Sequence, residues 1–458
     1  MPVVRSISGL RATLLDGLSE ELIYKYTASF SKILPLGPIV VGRDGRQSGL
    51  WIEDLIWNTL IQSDRDIRLL GIVPTPTVQL MVEHSDAVGG IVITASHNPS
   101  EWNGLKFIDN KGIFLNEEWN RKLWNEVDSF SSIDSFPKSN ENKSLIGNAI
   151  EQHIEKILSL PFFTKSDVLN TLKKKRLKIV VDAVNASGSR AIPLLLEKLG
   201  CEVIKLYCDE SGVFPHTPEP LPENLTELAI AVVIHNADLG IAVDPDADRL
   251  VLIDETGSPI CEENTIVLCT QSVLEMKHLF TNFSDYNVVV NHSTTQRVED
   301  IAKKYGSKVF RSPVGEINVV NKMKEVNAII GGEGSGGVIL SSCHYGRDSL
   351  VGIALILTLL ANRNVSLSEL VSELPHYEML KTKMQFRGSI KSIIENLIKE
   401  FPDGKPLRED GIKISFQDKW VQLRASNTEP FVRVIAEAKS KEEAQNLIDR
   451  ALNYIENK

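Results

Sequence analysis

The chain has 458 residues, 42% hydrophobic and 24% charged, and a formal net charge of −10. That length exceeds what one hydrophobic core usually supports, so three or four domains are expected; the composition is that of a soluble globular protein, and the acidic balance speaks against nucleic acid as the main partner. No apolar run reaches the ~18 residues of a membrane span, the N-terminus has no cleavable signal pattern, and five cysteines without a Cys-x-x-Cys pair argue against a disulfide framework or a zinc site, so a cytoplasmic protein without a membrane partner is expected.

In chain order, Ser8-Gly9 reads as a small-residue turn with Arg11 just beyond it; alone, Arg11 is a solvated arginine. A helical pattern over 20–34 leads to an apolar strand at 39–41, which ends in Gly42-Arg43-Asp44-Gly45-Arg46. A helix over 50–63 and a strand near 67–70 follow. The same strand, helix, strand order recurs over 178–206 and again over 287–310, which predicts three similar α/β units, as duplication would produce. Residues 129–148, rich in Ser, Asn and Lys, read as a surface connection, and Lys173-Lys174-Lys175-Arg176 as a solvated helix end. Near Pro375 the pattern changes to alternating strands at 413–416, 421–423 and 432–436, then a helix over 441–455. The expectation is an α/β protein: three similar mixed α/β domains (1–148, 149–257, 258–372) plus a smaller C-terminal α+β domain (373–458) around a central cleft.

Four polar loops carry the chemistry. In the first, the apolar run Ile91-Val92-Ile93 is stopped by turn signals at Asn98-Pro99 and Asn103-Gly104, which leaves Ser96 at a strand end with His97 beside it and Lys106 further on. A nucleophile, a proton carrier and a fixed positive charge are the equipment of covalent catalysis; the same residues also read as a polar turn whose serine satisfies its own backbone. The second loop, Asp244-Pro245-Asp246-Ala247-Asp248-Arg249, follows a strand. Carboxylates at every second residue can turn toward one cation, and oxygen-only ligands suit Mg²⁺ or Ca²⁺. Glu255 stands where an EF-hand has its last ligand, but Arg249 replaces the required glycine and 250–253 reads as a strand. A Mg²⁺ site completed by phosphate oxygens is the better reading, against an exposed acidic turn.

The third loop, Gly331-Gly332-Glu333-Gly334-Ser335-Gly336-Gly337, matches G-x-G-x-x-G but continues into the strand pattern Val338-Ile339-Leu340 where a dinucleotide fingerprint needs a helix. What remains presents one carboxylate and one hydroxyl, suited to paired sugar hydroxyls, or equally a flexible hairpin. The fourth, Arg424-Ala425-Ser426-Asn427-Thr428-Glu429-Pro430, packs a guanidinium, hydroxyls and an amide between two strands, a donor density that fits a phosphate or makes a plain polar turn. In a molecule of net charge −10, any phosphate ligand must meet a locally positive cleft.

With these four loops in this order, the chain resembles the α-D-phosphohexomutase family, enzymes that move phosphate between the 1- and 6-positions of a hexose; the matches run from Arg11 to Arg433. The resemblance implies that Ser96 is carried as a phosphoserine and that its phosphate shares Mg²⁺ with Asp244, Asp246 and Asp248. It implies that Glu333 and Ser335 read sugar hydroxyls, and that Arg424, Ser426, Asn427 and Thr428, with Arg433, bind the phosphate that is not reacting. Arg11 and Lys106 resemble family residues lining the reaction centre, either able to assist proton transfer beside His97, and Arg249 completes the positive lining. A hexose 1,6-bisphosphate intermediate and activator, hexose phosphates as partners, and a monomer or homodimer follow from the same resemblance. Pro245 and Ala12 stand where many members have glycine, and Gly337 where a histidine is common. Ser8-Gly9-Leu10-Arg11, the proline in the metal loop, the Gly-Gly ending and Trp102-Asn103-Gly104-Leu105-Lys106 look most like the phosphoglucosamine mutase branch, which interconverts glucosamine 6-phosphate and glucosamine 1-phosphate. The alternatives are a phosphomannomutase or phosphoglucomutase, a sugar-phosphate phosphatase using the same loops, and a non-catalytic Ca²⁺- or sugar-binding module.

Overall fold

The computed structural model describes residues 3–130, 143–385, 390–425 and 431–456. Three apolar, largely β-branched runs, Ile39–Arg43, Lys178–Asp182 and Val288–Asn291, form the central strands of three sheets. Each pairs in parallel with the strand that follows it through a helix, respectively Ile67–Ile72, Glu202–Tyr207 and Val309–Ser312. On its other side each pairs in parallel with a third strand, Gly89–Ile93, Leu239–Val243 or Ile330–Glu333. That third strand turns back into an antiparallel fourth, Trp102–Asp109, Leu250–Asp254 or Gly337–Leu340. The strand order is thus the same three times, as the recurring sequence pattern predicts; the first sheet alone adds Gly9–Thr13 and Val4–Ser6 at its antiparallel edge. The third strands are buried throughout, as parallel strands covered on both faces must be.

The fourth sheet is antiparallel, in the order Glu378–Gln385, Phe431–Ala438, Trp420–Ala425, Ile412–Ser415, Lys405–Leu407. The helices Ile390–Glu400 and Lys441–Glu456 supply Leu397, Leu447 and Ile448 to a core shared with Val421, Leu423 and Val434. Between the second and third sheets runs the helix Ser349–Arg363, apolar on every side and buried from 349 to 361. No helix among the described residues is long and apolar enough to cross a membrane.

The expected helices over 20–34 and 50–63 are Glu20–Ile33 and Gly49–Gln62. The helix of the third strand, helix, strand unit is Arg297–Lys304, and just ahead of it the Thr295 backbone N–H donates to Glu263 at 3.0 Å and its hydroxyl to Glu437. Of the surface connection 129–148, residues 131–142 lie outside the described residues, and its end is not free: Ile146 donates to the Leu69 carbonyl at 2.8 Å and Leu145 bridges to the first sheet. Lys173 and Lys174 are exposed at a helix end, as expected.

One sequence signal is corrected. Asn103-Gly104 is no turn; it lies inside the strand Trp102–Asp109, opposite Ala12 and Arg11. The glycine is required by close approach, since a Cβ at 104 would sit 2.1 Å from the Leu10 carbonyl oxygen and 3.0 Å from that of Thr94. Gly104→Ala forces two backbone strands apart and is expected to lower stability by about 2–3 kcal/mol, read as a lower urea midpoint at unchanged m-value.

Candidate active site

In each of the three repeated sheets, the connection between the third and fourth strands emerges at the carboxyl end of the parallel strands, where α/β sheets present ligand sites. The first such connection carries Ser96, the second Asp244, Asp246 and Asp248, and the third leaves Glu333 at a strand end with Ser335 in the turn.

Ser96 sits in the left-handed region, φ 53°, a conformation a non-glycine residue holds only when its surroundings impose it. Arg46 imposes it. Fully buried, its guanidinium donates to the carbonyls of Ser96, Asn98, Pro99 and Trp102 at 2.5–3.1 Å, while Asp44 holds its Nε at 2.9 Å. Asp44 also accepts from the Thr94 hydroxyl, and that hydroxyl oxygen accepts from the Ser96 backbone N–H. The Ser96 hydroxyl, 1% exposed, donates to Asp244 Oδ2 at 3.0 Å and lies 3.2 Å from His97 Nδ1. Burial, then the charges of Arg249 and Arg11, push the His97 imidazole well below its ordinary value, so it is neutral at neutral pH.

The three aspartates are completely buried and converge within 4.8 Å. Asp246 Oδ2 takes the Thr75 hydroxyl at 2.9 Å and Lys106 Nζ at 2.6 Å; Asp248 Oδ2 takes Arg347 at 2.6 Å and Lys106 at 3.3 Å. The Oδ1 atoms of Asp246 and Asp248 have no hydrogen-bond partner. Burial and the charges of Asp248 and Asp246 raise Asp244 well above the carboxylate range. Burial also opposes ionisation of Asp248, but Arg347, Lys106 and Arg249 outweigh it and hold that carboxyl low. A buried acidic triad with two orphaned oxygens, one of its carboxyls pushed up by the charge of the other two, fits a divalent cation bound by hard oxygen ligands.

Glu333 accepts from Asn291 Nδ2 at 2.9 Å, from the Gly315 N–H at 3.0 Å and from Arg347 at 2.7 Å. A cleft of about 790 Å³ is lined by Glu333 and by neighbours of Ser96 and Asp248, His97 and Arg249. Arg11, His97 and Lys106 line it from the first sheet, Arg249 from the second loop, Glu333 and Ser335 from the third, and Arg424 and Arg433 from the fourth sheet. Arg424 and Arg433 are direct cross-strand neighbours, with Asp410 3.3 Å from Arg424. Like charges placed opposite each other on a sheet repel, and an anion between them would relieve that repulsion. The two arginines give this end of the cleft a local positive charge in a chain of net charge −10. Ser426, Asn427 and Thr428 lie outside the described residues.

Four family models match in succession: phosphoglucomutase/phosphomannomutase alpha/beta/alpha domain I over 4–133, domain II over 151–257, domain III over 262–377, and the C-terminal domain over 390–453. The chain belongs to the phosphoglucomutase/phosphomannomutase family. The phosphoglucomutase/phosphomannomutase of Thermococcus kodakarensis is 35% identical over 98% of this chain and 97% of its own. A probable phosphoglucosamine mutase of Methanopyrus kandleri is 31% identical over 98% and 96%. The crystal structure of a phosphoglucomutase/phosphomannomutase family protein from Burkholderia thailandensis shares the fold, with a TM-score of 0.83 at 24% identity over 99% of this chain and 98% of that one.

In this member of the family, the residue that sequence reasoning missed is Arg347. It lies in Gly346-Arg347-Asp348, ahead of a helix capped by Asp348, so the only local signal was a helix start. Its guanidinium reaches three elements at once: Asp248 of the acidic loop, Glu333 of the third loop, and Glu316 at 3.1 Å. Gly337 makes room for it, since a Cβ there would meet Arg347 Cδ at 2.4 Å. The departure at 337 noted in the sequence thus admits a larger cation from a neighbouring segment. Arg347→Ala leaves three buried carboxylates short of a cation and is expected to cost about 3–5 kcal/mol in denaturant unfolding. Arg347→Lys should recover less than half, because one point charge does not replace a fork serving three partners.

Proposed function

We propose that this chain is a phosphoglucosamine mutase that works through a phosphorylated Ser96 and a hexose 1,6-bisphosphate. The single observation that carries the reading is the Ser96 hydroxyl 3.0 Å from an acidic triad with two unpartnered oxygens, next to a cleft lined by His97, Lys106, Arg249, Glu333 and the Arg424/Arg433 pair. Asp244, Asp246 and Asp248, with an oxygen on Ser96, would hold Mg²⁺, selected by an oxygen-only donor set. Bound there, it would supply charge that neutralises the transferring phosphoryl group.

This chain's own residues account for the rest. The cationic side chains of Arg11, Lys106, Arg249 and Arg347 surround the reaction centre and offset repulsion between a phosphoserine of about −1.5 to −2 charges and an incoming phosphosugar. Lys106 is held in its charged form: burial opposes it, but Asp246 and Asp248 prevail. In the first half-reaction the bond from phosphorus to Ser96 Oγ breaks and one forms to the free sugar hydroxyl, giving the bisphosphate. In the second, the other phosphate of the turned-over bisphosphate returns to Ser96. Protons balance within each half: in the first the sugar hydroxyl gives one up and Ser96 Oγ takes one, and in the second Ser96 Oγ gives one up, with neutral His97 at 3.2 Å placed to accept it, while the sugar oxygen freed of phosphate takes one. Turnover requires a distal site indifferent to which end of the sugar it holds; Arg424 and Arg433 read phosphate rather than ring identity. Glu333, held ionised by Arg347, offers an acceptor to sugar hydroxyls beside Ser335.

The choice of glucosamine rests on the four sequence features named above and on the name of the Methanopyrus relative. Offered glucosamine, glucose and mannose 6-phosphates in competition, with Mg²⁺ and catalytic bisphosphate, the enzyme is expected to give its highest kcat/KM with glucosamine 6-phosphate. Release of inorganic phosphate in place of a 1-phosphate would identify a phosphatase. Ser96→Ala is expected to reduce turnover by more than about a thousandfold with an unchanged circular dichroism spectrum, and to remove the phosphate mass otherwise found on the Ser96 peptide. Mg²⁺ at a hundred times its dissociation constant should stabilise the wild type by about 2.7 kcal/mol, visible as a higher Tm, and Asp246→Asn should abolish that shift.

A further inference from the structure

Away from the cleft, four side chains with metal-ligand chemistry meet in the interior. His153 comes from the helix Ala149–Leu158, Cys343 and His344 follow the strand Gly337–Leu340, and Asp348 caps the helix Ser349–Arg363. All are buried, none more than 3% exposed, and one ligand atom from each lies within 4.8 Å of the others. His153 and His344 point Nε2 at the same oxygen of Asp348, at 2.8 and 3.0 Å, with ring centroids 5.9 Å apart. The other Asp348 oxygen accepts the N–H groups of Leu350 and Val351, and Thr77 Oγ1 lies 2.9 Å from His153 Nδ1.

Hydrogen bonding leaves part of this cluster unexplained. His344 Nδ1 is buried without a partner, a costly state for an imidazole nitrogen. The Cys343 thiol is in no disulfide and makes no hydrogen bond among the described residues. Asp348 is a fully buried carboxylate whose ion-pair partners among the described residues are the two histidines, with no lysine or arginine. None of the four has a part in the phosphoryl transfer described above.

We propose that His153, Cys343, His344 and Asp348 form a second metal site, for Zn²⁺. One sulfur, two imidazole nitrogens and one carboxylate oxygen are a complete tetrahedral donor set for that ion, whereas Mg²⁺ and Ca²⁺ take oxygens. Bonds of about 2.0–2.3 Å put tetrahedral ligands roughly 3.3–3.8 Å apart, so side-chain movements of less than about 1 Å close the shell. A thiolate and Asp348 together carry the two negative charges that neutralise the dication in a dry interior. With Nε2 on the metal, His153 Nδ1–H donates to the Thr77 hydroxyl, the outer partner that fixes the ring. Enclosed on all sides, the ion is structural: it ties the start of the second repeat to the third, next to Thr77 of the first, and anchors the residue after Arg347. The missing Cys-x-x-Cys pair bears only on local motifs, and here ligands stand up to 195 residues apart.

The test uses the full chain, expressed in zinc-supplemented medium and dialysed against buffer without chelator. About one zinc per chain is expected by mass spectrometry of the metal, with a Tm above that of the stripped protein. Protein produced with Co²⁺ and held in excess Mg²⁺ should show a thiolate-to-cobalt charge-transfer band that Cys343→Ser abolishes and Asp246→Asn leaves intact. Cys343→Ser keeps the side-chain volume, and its Tm should match that of stripped wild type. Folded wild type with less than about a tenth of a zinc per chain and no such band overturns the proposal, as does zinc retained equally by Cys343→Ser and His153→Gln.

Discussion

Three carboxylates buried in one hairpin repel each other, and the surrounding structure is arranged to hold them together. Lys106 from the first sheet and Arg347 from the third reach into the second to do so, so the acidic loop binds three parts of the molecule into one electrostatic unit. Arg347 extends that unit to Glu333, so one guanidinium touches both the acidic loop and the third loop. Removing charges from water is expensive, and such a network persists only when each member is paired. The two oxygens left without partners stand out for that reason.

The same hairpin is used three times. Each repeat ends a buried parallel strand abruptly and returns antiparallel, which exposes a short loop at the carboxyl edge of the sheet. Because the scaffold repeats, the loops diverge in chemistry without cost to the fold: a hydroxyl strained by Arg46 in the first, carboxylates in the second, an acceptor and a hydroxyl in the third. The rigidity lies beneath the loops, as the five hydrogen bonds around Arg46 show.

The fourth sheet brings its arginines to the cleft by docking on the third. Glu437, 1% exposed, accepts from the Trp420 indole N–H at 2.7 Å and from the backbone of Gln296 at 2.9 Å. Lys413 lies 3.8 Å over the Trp420 ring and donates to the His292 carbonyl. Burial, then the nearby charge of Arg311, lowers this lysine well below its ordinary value, which marks the dryness of the contact. Such a polar, specific interface fixes an orientation more than it adds stability.

The chain's own order of residues determined the repeated strand, helix, strand pattern, the antiparallel tail and the four loops, because periodicity and turn residues are local properties. Serine at a strand end, alternating aspartates and an arginine between strands were legible for the same reason. What only the tertiary structure decided is which residues share a charge or a space. Asn103-Gly104 looked like a turn because a glycine's close contact with Leu10 leaves no local trace, and Arg347 went unread because its three partners lie 14, 31 and 99 residues away. Coulombic attraction and packing act through space, so pairings at such separations appear only once the sheets have assembled.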